Sequence, residues 1–266
     1  MNATRLYLRY VGASLRSQMQ YRGSFIMLAI GHFLITGGEF LSLAALFARF
    51  GNIQGWTLPE VALLYGVVST SFALSEGFAR GFDVFSGLVR RGEFDRMLLR
   101  PRNTVLQLVG YEVQLQRLGR LTQGLVVLVW SMATLGIAWN LPKLLLMLAS
   151  VFGGMLLFCG LFVLQATLCF WTVESLEVMN TMTYGGVETG QFPITAYRSW
   201  FRDFFVYVVP LACVTYFPVL AILGRADPLG SPVWFRWAAP AIGAVFLAVA
   251  LQVWRFGVRH YCSTGS

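Results

Sequence analysis

The chain has one lysine and two histidines among 266 residues. A loop that cradles nucleotide phosphates needs a lysine between a glycine and a serine or threonine. Lys143 stands between Pro142 and Leu144, so ATP hydrolysis by that route is excluded for this chain alone. His32 and His260 are too far apart for a helical HExxH zinc site, and no G-x-S-x-G elbow accompanies either. Cys159, Cys169 and Cys213 fall within apolar runs and Cys262 in the tail, so no disulfide framework is implied. Neither catalytic nor cofactor nor metal residues are expected.

Charge is also scarce. Only 12% of residues are charged against 57% hydrophobic, and the mean hydropathy of +0.65 is far above that of a water-soluble domain. Crossing a hydrocarbon core of ~30 Å takes roughly 20 helical residues. Runs of that kind occupy 25–47, 58–78, 121–139, 144–171, 204–223 and 237–256. They lack the alternation of barrel strands, and helices satisfy their own backbone in lipid. The expected fold is therefore an all-α integral membrane protein, one domain over 1–266 with six transmembrane helices.

An even number of crossings puts both termini on one side. Arg5, Arg9, Arg16, Arg22, Arg80, Arg90, Arg91, Arg96, Arg100, Arg102, Arg117, Arg120, Arg198, Arg202, Arg255 and Arg259 all fall on that side. Only Arg49, Lys143, Arg225 and Arg236 fall on the other, so the positive-inside rule makes both termini cytoplasmic. The net charge of +8 is thereby a topology signal and not a sign of nucleic-acid binding. The first apolar run is longer than the ~7–15 residues of a signal h-region, so the N-terminus is expected to be retained. At ~100° per residue Arg5, Arg9 and Arg16 share one face of 1–22 and Leu8, Val11, Leu15 and Met19 an adjacent one, as in an interfacial helix.

The cytosolic loop 80–120 is too long and too patterned for a simple hairpin. Glu93 to Arg100 can form about two turns that expose Phe94, Met97 and Leu98 together, with Pro101 as a stop. Arg90, Arg91, Glu93, Asp95, Arg96 and Arg100 rim this apolar knob, which suits a groove on a soluble partner. The plainer alternative is a basic loop that only sets orientation. Within the spans, Glu39 is costly to bury and reads as a substrate-path residue or as a structural glutamate near the outer surface, and His32 two turns earlier reads as its partner or as a satisfied interior histidine. Tyr65, Trp130, Tyr216 and Phe217 either line a cavity for a lipophilic compound or pack as belt aromatics. Glu76 precedes Arg80 by four residues and can bridge to it. Gly77 with Gly81, and Gly186 with Gly190, have the spacing of close helix contacts. Pro210 and Pro218 are expected to kink the fifth span.

The run GLVRRGEFDRMLLRPRN at 87–103 resembles the loop signature of bacterial six-helix ABC type-2 permeases, approximately G-x-h-D-x-x-L-h-R-P, through Gly92, Asp95, Leu98, Arg100 and Pro101. Where that motif often has leucine, this chain has Phe94. A second likeness spans 192–224 through Pro193, Tyr197, Pro210, Pro218 and Gly224. The resemblance implies the transmembrane permease subunit of an ATP-driven exporter in a prokaryotic plasma membrane, paired with an identical or paralogous permease. It implies two separate P-loop ATPases that hold the ATP and magnesium, with 93–100 as the coupling helix that meets them. The segment 174–203, carrying Glu174, Glu177, Glu188 and Asp203, is a second cytosolic contact on this reading. An ATP-independent channel or carrier, and a non-transporting scaffold or sensor, are the alternatives.

Overall fold

A computed structural model describes residues 12, 16, 20, 22–111, 117–172 and 176–261. The expected interfacial helix over 1–22 lies almost wholly outside the described residues, as do Glu112, Glu174 and Cys262. Among the described residues the chain is helical, with one isolated bridge between Ile53 and Trp56 and no strand. The helices are α1 (Arg22–Phe50), α2 (Leu58–Asp83), α3 (Phe85–Arg90), α4 (Glu93–Leu98), α5 (Thr104–Val109), α6 (Leu118–Thr134), α7 (Leu141–Leu168), α8 (Leu176–Gly190), α9 (Ser199–Asp203), α10 (Leu211–Val214), α11 (Tyr216–Leu223), α12 (Val233–Ala238) and α13 (Ala241–Arg259).

Among the described residues four stretches are long and apolar enough to cross a membrane: Gly23–Phe50, Leu58–Arg90, Leu141–Leu168 and Ala241–Arg259. A fifth is available if Ser199–Val208 and Leu211–Leu223, bent by 69° at their junction, count as one. The third expected span is cut short. α6 has 17 residues, ~25 Å of helix, because Gly136 adopts φ 62 just past its end and closes it in the usual left-handed way.

α2 is the axis of the bundle. Every residue from Val61 to Ala73 is buried, whereas α1 exposes most of its length to the surroundings. Its start is fixed by Thr57, whose N–H and Oγ1 both donate to the Glu60 carboxylate at 2.8 and 2.9 Å. α6 runs antiparallel to it, with Leu128 on Gly66, Thr70 on Gly124 and the Ser131 hydroxyl donating to the Pro59 carbonyl at 2.7 Å. α7 runs parallel to α2 on the other side, where Ser71 donates to the Val151 carbonyl at 3.0 Å. α13 presses on α7 through Gly243 and Gly153; a Cβ on Gly243 would sit 2.0 Å from the Gly153 oxygen. α1 lies along α6, and the Tyr65 hydroxyl donates to the Thr36 carbonyl of α1 at 3.0 Å.

Of the segment expected to be a cytosolic loop, 174–203, the helix Leu176–Gly190 is instead packed on the bundle. Asn180 meets Gln165 of α7 at 3.1 Å, level with Asp83. Ten residues on, Gly190 lies against Val68 and Leu211, so α8 climbs ~15 Å alongside α2. The chain then turns, and a π-turn at Phe204–Val208 leads to the break. Val209 leaves helical dihedrals and Pro210 has no N–H to continue the ladder. Pro218 sits in the first turn of α11, where a proline is tolerated, with the irregularity at Thr215 just before it. Gly81 and Gly190 serve contacts within the chain, against Leu108 and Leu211 respectively, while Gly77 faces open space.

Replacing Gly153 by leucine drives a side chain into the Pro240 carbonyl, 2.4 Å from an ideal Cβ. We expect a loss of roughly 1–3 kcal/mol from this overpacking, read as a lowered melting temperature of the purified protein. An unchanged melting temperature would disprove this close α7–α13 approach.

Candidate functional site

Between the ends of α2 and α6 the chain builds a compact layer from α3, α4 and α5. Gly92 turns α3 into α4 with φ 66, a left-handed conformation that glycine adopts freely. α4 then lies with its apolar face toward the bundle. Phe94 is fully buried, with its ring 4.9 Å from Phe85, 5.6 Å from Phe170, 6.2 Å from Trp254 and 5.2 Å from Tyr261. Trp254 is anchored in turn through its indole N–H to Thr104 Oγ1 at 3.2 Å. Met97 is also buried, and Gln107 donates to its carbonyl at 3.2 Å.

This corrects the expectation that Phe94 and Met97 are displayed. An amphipathic helix does not reveal from sequence which way its apolar side turns, and here the bundle's own aromatic residues claim it. What remains outside is Leu98, 40% exposed, and Leu99, 85% exposed, which sequence reasoning missed. Arg90, Arg91, Arg96, Arg100, Pro101 and Arg102 are exposed around them, and Asp95 is half-buried. The doublet of leucines directly before Arg100-Pro101 is the signal that would have found Leu99, since the proline that stops the helix carries the residues before it away from the bundle.

Glu93 ties the layer together. Its carboxylate accepts from Arg91 Nε at 2.7 Å and from the Tyr111 hydroxyl at 2.9 Å, and these bonds, that from Arg91 first, hold it below the ordinary carboxylate range.

Immediately above lies a charged layer inside the bundle. Glu76 is completely buried, and it pairs with Arg117 at 3.1 Å and Arg120 at 3.3 Å. The expected bridge to Arg80 does not form, because Arg80 pairs with Asp83 instead. The Arg120 guanidinium also lies over the Phe72 ring, 5.2 Å from its centroid. Gln165 links Asp83 to Asn180, so α2, α7 and α8 meet in a second polar network next to it.

Beside this network a cavity of ≈ 200 Å³ opens between α1, α2, α6 and α8. Glu39 and Glu188 both line it, together with Thr36, Arg120, Tyr184 and Gln191. Glu188 was expected in a cytosolic loop and is found here because α8 is inside the bundle. The remaining expected path residues are scattered. His32 is half-buried on α1 and makes no ion pair with Glu39. Tyr65 is core, bonded to Thr36 and to Gln123. Tyr216, against Trp56 and Asp227, and Phe217, against Phe235, lie at the opposite end of the bundle. Trp130 packs on Phe40.

Compared with known proteins, residues 33–265 match the family described as ABC-2 family transporter protein. Neither curated proteins nor solved structures offer a significant match.

Two measurements check this geometry. Phe94→Ala empties the aromatic cluster and should cost roughly 3–5 kcal/mol of stability, whereas Leu99→Ala should change it by less than about 0.5 kcal/mol; thermal unfolding of the two variants compares them. The stabilisation by Glu93 is fully present above its ordinary pKa of 4.5 and fades as pH falls through its lowered folded value. The difference in melting temperature between the wild type and Glu93→Gln should accordingly shrink on acidification, and a difference that grows would contradict the bonds described.

Proposed function

The chain belongs to the ABC-2 transporter family, a family of multi-pass membrane permeases, and from that premise we propose that it is the permease subunit of an exporter driven by separate ATPases through α4. The observation that carries this reading is the two-sidedness of α4. Its outer side offers Leu98 and Leu99 within a rim of arginines, the chemistry that docks into a groove on a soluble partner. Its inner side is fixed through Phe94 to α3, to the end of α7 and to α13. A push on such a helix is delivered to several helices at once.

The chemistry then belongs to the partner. Two P-loop ATPases would hold ATP and magnesium, and this chain would supply no catalytic group. Closure of the ATPases around nucleotide biases the bundle between two arrangements, and differential binding to those arrangements is the source of the work. A second permease, identical or paralogous, completes the path.

Six crossings suit the helix directions. α1, α2, α6, α7 and α13 make five, and α8 with the bent segment up to Leu223 makes the other: α8 rises from the Asp83 level, and Arg225 beyond α11 pairs with Glu60 at the far end of α2. The arginine-rich end, with both termini, is then cytoplasmic in a prokaryotic plasma membrane by the positive-inside rule.

Aspartate in place of Leu98, Leu99 and Arg100 should abolish co-purification of the transporter's ATPase while leaving the permease folded; full-strength capture would remove the docking assignment. In a Cys262→Ser background, Arg96→Cys should resist a membrane-impermeant thiol reagent applied to intact cells and react in inverted vesicles. Labelling from outside the cell would reverse the topology.

A further inference from the structure

We propose that the cavity between α1, α2, α6 and α8, with the apolar groove that adjoins it, binds a lipophilic organic cation, with Glu39 and Glu188 as its counter-charges; as a substrate assignment this rests on the transporter reading above. The argument begins with charge. Glu39 of α1 and Glu188 of α8 line one cavity, and neither has an ion-pair or hydrogen-bond partner among the described residues. Arg120 lines the same cavity, but its guanidinium is engaged by the buried Glu76 at 3.3 Å.

Taking this cluster together, Glu39, Glu76 and Glu188 stand against Arg117 and Arg120. One negative charge is left over, on the side that faces the cavity. Both carboxylates are exposed at the cavity's open side, so a cation reaches them directly, and a cation that pairs with them in an apolar membrane setting gains more than it would in bulk water.

A second, independent feature points to a ligand. Gln191 is only 6% exposed, lines the cavity, and its amide has no partner among the described residues. An amide of that kind, on a side chain that is otherwise packed away, is open to a hydrogen bond from a molecule in the cavity.

The neighbourhood sets the rest of the molecule. Gly185 borders this cavity and also an apolar groove of ≈ 530 Å³ walled by Trp200, Phe201, Phe204 and Phe205. Aromatic faces attract cations as well as apolar bodies. The site thus asks for a monovalent charge joined to an aromatic or aliphatic mass. An anion would meet both carboxylates.

The test uses two ions of nearly the same shape and opposite charge. Binding of radiolabelled tetraphenylphosphonium and tetraphenylborate to the purified permease in lipid nanodiscs is measured by equilibrium dialysis against empty discs. We expect saturable binding of tetraphenylphosphonium alone, and binding about tenfold weaker in the Glu39→Gln/Glu188→Gln variant. Equal retention of tetraphenylborate, or unchanged phosphonium affinity in the double variant, overturns the proposal. If the double variant does not fold, each single glutamine variant must weaken the cation, and the comparison of the two ions on the wild type needs no variant. Binding is read on the permease alone, so absence of cation binding beside intact ATPase capture overturns the site and leaves the coupling. Cation binding with no ATPase capture does the reverse.

Discussion

The carboxylate of Glu76 is the constraint around which the inner half of this bundle is arranged. A fully buried charge on the central helix must be compensated locally, and Arg117 and Arg120 do so from the first turn of α6. That requirement fixes where α6 begins and holds it antiparallel to α2. It also commits Arg120, so the acidic side chains of α1 and α8 that share its cavity go without it. One ion-pair arrangement thereby sets both a helix register and the sign of a neighbouring cavity.

Below that layer the connection between surface and bundle is made by rings instead of charges. Phe94 lies among Phe85, Phe170, Trp254 and Tyr261, residues that come from three different stretches of chain. Aromatic pairs in tilted and edge-on contact resist displacement in several directions at once, and close-packed interiors transmit strain instead of absorbing it. The outward leucines and arginines of α4 therefore stand on a stiff base.

Much of this could be read from the sequence, and the failures have physical causes. Long apolar runs locate α1, α2, α7 and α13 because lipid imposes a length and a polarity on any crossing helix. The motif ending in Arg100-Pro101 locates α4, since glycine and proline at its two ends leave the backbone few choices. Its orientation was hidden, because burial of Phe94 depends on Phe170 and Trp254, distant in the chain. Glu188 was misplaced for a related reason. α8 is rich in glycine and threonine and lacks the apolar signature of a span, since it packs against α2 and α7 and makes its own polar contact through Asn180 with Gln165. Glu39 could be singled out because an isolated carboxylate in an apolar run is conspicuous; that it shares a cavity with Glu188 could not, as this depends on the path of α8.

The break at Val209 and Pro210 has a mechanical meaning of its own. No continuous ladder of backbone hydrogen bonds joins the stretch before it to α10 and α11, so those two arms are coupled by torsion at a couple of residues and by their neighbours. The chain thus changes direction by 69° there with the helix on each side left intact. The bend is held by the buried side chains from Leu211 to Val214, while Tyr207 just before it is 80% exposed.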